Sequence, residues 1–344
     1  MLPRPRGCGL RARRRRGSDG ARRGDAAGRD GGSEPSASEG PVASARAIFD
    51  AIGPDDPFCS AAVLRGDDLV FAEAYGADAD GPVTTDTEVD IASVSKQFTG
   101  LAITRLIDEG DLAASDRVGE LVPASRPATD DLTVAELLTH TSGLADYGDL
   151  LPQEYDEPAT QREAIDAIAR SEPTGTRGEF EYSNSNYVLL AEVVRAVSGE
   201  PLPDHLEHEV FGPLDLAMAV DPRGAWTQVG DGSIWTTPTE LVTWSEQFWD
   251  QTLDGPALPS ALFAIEVPTG EDDGGTDERY GAGVMRATLD DGAEAVYHDG
   301  SWDGYETDWV TIPDERLAAA VTCDEDADIQ SDTVALDLLE LWRR

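Results

Sequence analysis

Ser93-Val94-Ser95-Lys96 places a hydroxyl three residues before the only lysine in the 344-residue chain. The other 25 of its 26 basic residues are arginines. A guanidinium keeps its proton inside proteins, whereas an ammonium can lose one when it is buried or set beside other cations. One lysine kept among arginines therefore marks a place where a neutral amine is required. Such an amine, one helical turn from a serine, can take the hydroxyl proton while backbone N–H groups of the first turn face the developing oxyanion. That is the chemistry of acyl transfer. Two further groups suit it. In Tyr182-Ser183-Asn184 the phenol could relay a proton beside an ammonium and Asn184 could offer its amide to a substrate, although Ser and Asn also suit an N-capping loop. In His298-Asp299-Gly300-Ser301, Gly300 permits close backbone approach by a substrate and the following N–H can serve as an oxyanion donor.

The elements that must carry these groups can be read from periodicity. Val94, Phe98, Leu101, Ala102 and Leu106 recur at helical spacing, with Gly110 as a stop, so Ser93 and Lys96 share one helical face. Residues 43–52 read as a short helix, and 61–64 with 69–75 as a strand pair turning at Arg65-Gly66-Asp67-Asp68. The stretch from about 112 to 205 is helical in pattern, with 134–138, 162–170 and 187–197 its clearest segments. Strands return at 281–287, 294–298, 309–312 and 317–323, before a closing helix at 333–342. His298 then stands at a strand end. Strands at both ends of a helical middle predict an α+β domain over residues 41–344, with the helical region inserted.

Taken in order, Ser93-x-x-Lys96, Tyr182-x-Asn184 and His298-x-Gly300 resemble the serine β-lactamase and penicillin-binding-protein superfamily, whose signature is S-x-x-K, S-D-N and K-T-G. The branch is that of class C β-lactamases, DD-peptidases, D-aminopeptidases and related esterases. Segments 91–111, 132–147 with Leu137-Leu138-Thr139-His140-Thr141-Ser142-Gly143-Leu144, Pro213-Leu214 and 232–244 extend the resemblance over roughly residues 45–344. It implies an antiparallel β-sheet flanked by helices. It also implies that Ser93 is the nucleophile, Lys96 its base or proton shuttle, and Tyr182 a second proton carrier serving deacylation. Asn184, His298, Gly300 and Ser301 would bind substrate, the N–H groups of Ser93 and Ser301 forming the oxyanion hole. His298 stands where β-lactamases usually carry lysine, and a neutral imidazole is a poor anchor for a substrate carboxylate. The expected activity is a serine hydrolase working through an acyl-enzyme on a short ester, a D-amino-acid peptide or a β-lactam. The alternative is a receptor of the same fold that acylates without turning over. No metal or organic cofactor is implied, and the partner is a small molecule or peptide.

Other residues take plainer readings. His140 is expected to order the Thr139–Leu144 turn. His205 and His208 lack the third ligand and the His-Glu-x-x-His pattern of a zinc site. Ser95 lies off the Lys96 face, and no Gly-x-Ser-x-Gly occurs. Cys8, Cys59 and Cys323 fit no metal spacing and make no disulfide framework, so free thiols and a cytoplasmic setting are expected.

The net charge is −42, with 68 acidic residues, and ten arginines fall within residues 1–32. So negative a body repels nucleic acid and anionic membranes. It also repels itself until salt shortens the Debye length to ~3 Å at 1 M, which points to a salt-adapted protein. Residues 1–40 are rich in Arg, Gly, Ser and Asp and lack the apolar run of an export signal, so they read as a disordered tail. No apolar stretch is long enough to span a membrane.

Overall fold

The computed structural model of the chain describes residues 40–152, 157–223, 227–270, 277–302, 304–327, 329 and 331–343. The tail and Cys8 lie outside them. Helix α1 (Pro41–Phe49) leads to the hairpin β1 (Cys59–Arg65) and β2 (Asp68–Tyr75). Short pieces β3 (Ala77–Asp78), β4 (Gly81–Pro82) and β5 (Val89–Asp90) follow, then a 3-10 turn at Ala92–Ser95 and helix α2 (Lys96–Glu109). Next come α3 (Val118–Leu121), α4 (Val134–Leu138), α5 (Tyr147–Leu150), α6 (Gln161–Arg170), α7 (Asn184–Ser198), α8 (Leu202–Leu206) and α9 (Gly212–Leu214). After β6 (Ala219–Val220) and β7 (Ile234–Thr236), helices resume as α10 (Pro238–Trp244) and α11 (Leu258–Leu262), so the helical stretch runs past 205. The chain closes through β8 (Val267–Pro268), β9 (Arg279–Tyr280), β10 (Met285–Thr288), β11 (Glu294–Trp302), β12 (Tyr305–Ile312), β13 (Leu317–Asp324) and α12 (Ser331–Arg343).

Eight strands form one antiparallel sheet in the order β2-β1-β13-β12-β11-β10-β9-β8, and β5, β7 and β6 form a small second sheet. Helix α12 packs on β12 and β13, and α10 packs on β1 and β13. With helices on both faces, β1 and β13 are buried almost throughout, which is why they read as continuous apolar runs rather than alternating ones. The expected strand at 281–287 begins only at Met285. Residues 281–284 instead turn tightly against α2: Gly283 has φ +84, and a Cβ there would lie 2.2 Å from the Lys96 carbonyl oxygen. Helix α2 ends as expected on Gly110 in the left-handed conformation.

Counting cysteines misled. Cys59 and Cys323 are directly opposed in the β1/β13 register, with Cα atoms 4.1 Å apart, and form a buried disulfide across 264 residues of sequence. Only the strand register brings the two thiols together, and it is not visible in their spacing. The expectation of free thiols at these positions is corrected accordingly. No helix among the described residues is long and apolar enough to cross a membrane.

Arginines serve this acidic surface in a way lysine cannot. Arg286 binds both Glu266 and Glu294, and Arg343 binds Asp291, Glu315 and Glu340. One planar fork reaches several carboxylates at once.

Candidate active site

Lys96 opens α2 and is fully buried. Its Nζ lies 2.9 Å from Ser93 Oγ, 2.8 Å from Asn184 Oδ1 and 2.7 Å from the backbone oxygen of Asp231. The Tyr182 ring lies 5.1 Å away, centroid to Nζ, and the Tyr187 ring 5.8 Å, so the amine rests between two π faces. Ser93 itself sits on the 3-10 turn just before α2, and it remains partly exposed.

That turn is held under strain. Ala92, immediately before Ser93, has φ 48, a region disfavoured for residues with a Cβ. The Asp90 carboxylate accepts the Ala92 N–H at 2.8 Å and pins it there. Strand β11 closes from the other side: a Cβ on Gly300 would stand 2.7 Å from the Ile91 oxygen and 2.8 Å from Ser93 N. The glycine expected to admit a substrate thus admits the protein's own Ser93 turn. Ser301 follows it and is exposed.

Asn184 begins α7, and its side chain is free to meet Lys96 because the helix is capped from elsewhere. Ser183, the N-cap residue, makes no capping hydrogen bond, and the Asn184 N–H is donated to Asp146 Oδ2 at 2.6 Å. His140 does more than order its own turn, where Ser142 Oγ accepts the Leu144 N–H. Its Nδ1 accepts the Ser183 N–H at 3.1 Å, and its ring stacks on Tyr182 at 4.3 Å between centroids. Burial holds its pKa well below the usual histidine value, with the nearby Lys96 and His298 acting in the same direction.

His298 lies within β11 rather than at a strand end, because that strand continues to Trp302. It is 1% exposed, with Nε2 3.2 Å from the Tyr280 hydroxyl. Burial, reinforced by Lys96 and opposed by Asp299, lowers its pKa to about 4, so it is neutral at pH 7. The expected pairing of His298 with a substrate therefore meets a closed aromatic cluster of Tyr182, Tyr280 and His140. Beyond residue 298, β11 pairs with β12 on one side, while β10 reaches only as far as Tyr297.

Three acids escaped the sequence reading. Asp90 pins the strained turn, Asp146 holds Asn184, and Asp231 is buried beside Lys96 with its Oδ2 accepting the Tyr147 hydroxyl at 2.9 Å. Burial pushes the Asp231 carboxyl up to about 6 and also raises Asp146, while the cation of Lys96 opposes both shifts. Elsewhere Ser95 Oγ accepts the Ile234 N–H, His205 is buried, and exposed His208 faces Glu200, so none of the three joins the site. No group of three or more potential metal ligands occurs among the described residues.

The fold and this constellation define a serine β-lactamase and penicillin-binding-protein type of molecule. A family model described as Beta-lactamase matches residues 57–341, and the chain belongs to that family. Membership places it among the serine hydrolases. A penicillin-binding protein of Bacillus subtilis (strain 168) is 23% identical, covering 85% of this chain and 74% of that one. A D-aminopeptidase of Cereibacter sphaeroides is 29% identical over 78% of this chain, which spans only 56% of that protein's length. The crystal structure of a D-stereospecific amidohydrolase from a Streptomyces species superposes with a TM-score of 0.68 at 22% identity, covering 82% of this chain and 93% of that one.

Proposed function

We propose that the protein hydrolyses amides through an acyl-enzyme at Ser93, and that its substrates carry a free amine rather than a carboxylate near the scissile bond. The observation that carries this reading is a buried amine 2.9 Å from Ser93 Oγ, in a site where His298 is neutral and the Asp146 and Asp231 carboxyls both feel the charge of the one lysine. Lys96 takes the Ser93 proton as Oγ attacks the carbonyl, and the N–H groups of Ser93 and Ser301 receive the oxyanion. The tetrahedral intermediate collapses by expelling the amine, which leaves with a proton returned through Lys96 and Tyr182. Water then attacks the acyl-serine, giving up its proton along the same route. Asn184 and the stretch of β11 past His298, beyond the last residue that β10 pairs, align the substrate. A D-amino-acid amide or peptide fits these demands, as the names of the relatives do. A β-lactam fits less well, because its carboxylate would find no cation at position 298.

A panel of D-amino-acid amides, short p-nitrophenyl esters and nitrocefin tests the reading. The kcat/KM for the best D-amino-acid amide should exceed that for nitrocefin by at least about tenfold. Faster nitrocefin turnover would overturn the substrate assignment. A permanently acylated Ser93 with no turnover of any substrate would instead favour the receptor of the same fold.

The charge of −42 supports a second proposal, adaptation to salt. Raising KCl from 0.1 M to 1 M shortens the Debye length from ~10 Å to ~3 Å and relieves self-repulsion between carboxylates. The thermal midpoint and the turnover rate should both rise over that interval. Best performance in dilute buffer would contradict it.

A further inference from the structure

Lys96 has three acceptors within bonding distance, and they differ in kind. The backbone oxygen of Asp231 and the Oδ1 of Asn184 can only accept, whereas Ser93 Oγ can donate or accept. A neutral amine has two N–H bonds and one lone pair. If the two obligate acceptors take the two N–H bonds, the lone pair is left facing the Ser93 hydroxyl. What fixes those two acceptors therefore aims the base.

Both are held by consecutive residues. Asp146 Oδ2 accepts the Asn184 N–H at 2.6 Å, and the Tyr147 hydroxyl donates to Asp231 Oδ2 at 2.9 Å. The Asp146-Tyr147 pair is itself clamped onto α7. Tyr147 N–H donates to Ser185 Oγ at 2.9 Å, the Ser185 hydroxyl donates to the Ala145 oxygen at 2.7 Å, and Asp146 Oδ1 caps α5 through the Gly148 N–H. Tyr147 is fully buried and Asp231 is 3% exposed. Tyr147 supplies a side-chain hydrogen bond to this buried carboxylate, beside the one from the residue's own backbone N–H, and so helps to orient it.

We propose that Asp146 and Tyr147 are positioning residues for acylation: one holds Asn184, the other holds Asp231, and together they direct the lone pair of Lys96 at Ser93. Neither touches the reacting atoms. The proposal rests on the serine-hydrolase reading of the site, and its test keeps the two apart by first labelling wild-type Ser93 with a fluorophosphonate. An unlabelled wild-type serine would sink the hydrolase reading itself.

With labelling established, single-turnover acylation by p-nitrophenyl acetate measures the aim. Tyr147→Phe and Asp146→Ala should each slow acylation between about tenfold and a hundredfold, as a base misplaced by a fraction of an ångström would. Substrate affinity should stay within about twofold. Asp146→Asn should restore most of the rate, because an amide oxygen still accepts the Asn184 N–H. In a Lys96→Ala background neither change should lower the residual rate further, since the group they aim is gone. Wild-type acylation by Tyr147→Phe overturns the proposal. So does an equal fall in both backgrounds, which would mark a merely structural role. Should Asp146→Ala not fold, Tyr147→Phe and Asp146→Asn still carry the test.

Discussion

Lys96→Arg is expected to abolish acylation about as deeply as Lys96→Ala, with the rate falling on the order of a thousandfold or more. Conservation of charge does not help, because the step needs a group that can give up its proton and take another from Ser93. Geometry adds to the loss. Lys96 is fully buried, with its Nζ within 2.9 Å of three oxygens, and the longer, planar guanidinium has no room to reproduce that contact set. Burst kinetics with p-nitrophenyl acetate measure the acylation rate directly. An arginine variant within about tenfold of wild type would mean that only a positive charge is needed, and the proton-transfer role would fall.

Gly300→Ala is the second change expected to be severe. Its Cβ would lie 2.7 Å from the Ile91 oxygen, 2.8 Å from Ser93 N and 2.8 Å from the Ala92 Cβ. None of these is the end of a flexible chain, and Ala92 is already strained at φ 48. The Ser93 turn has to move, and acylation should fall about a hundredfold or more, with overpacking costing about 1–3 kcal/mol of stability. Gly292→Ala supplies the control. Gly292 has φ +91 in the turn before β11, with nothing within 4 Å of an added Cβ, so it should lose about 1 kcal/mol to backbone strain and keep its acylation rate. Equal activity losses in the two variants would refute the steric account of Gly300.

The composition that exposes Lys96 also hides the residues packed around it. Because lysine is absent everywhere else, Lys96 stands out and Ser93 follows from its spacing, whereas Tyr182 and Asn184 follow only from the order of three motifs and the family resemblance it carries. Asp90, Asp146 and Asp231 are lost among 68 acidic residues, and nothing local distinguishes a buried carboxylate from a solvated one. The β1/β2 hairpin, α4, α6, α7 and β13 lie close to where the apolar pattern puts them, whereas β11 and β12 both run beyond it, to Trp302 and from Tyr305. Gly281–Val284 was misread as strand because its conformation is set by contact with α2, and the Cys59–Cys323 pair was missed because register is a property of the assembled sheet. His298 was found, but its environment was not: the rings of Tyr182 and Tyr280 pack against it, and His140 packs on Tyr280 in turn.

Strand β1 lies between β2, its immediate successor in the chain, and β13, the last strand of the sheet. During synthesis the hairpin can form at once, yet its other edge has no partner until the ribosome has delivered Leu317–Asp324. Every residue of the site is made within that interval. The sheet against which the Ser93 turn is pressed is therefore completed late, by one of the most non-local pairings in the molecule, and such pairings are slow to form because the loop must close before the contact is gained. The chain spends that interval with an apolar strand edge open, so its yield on refolding should depend on how dilute it is kept.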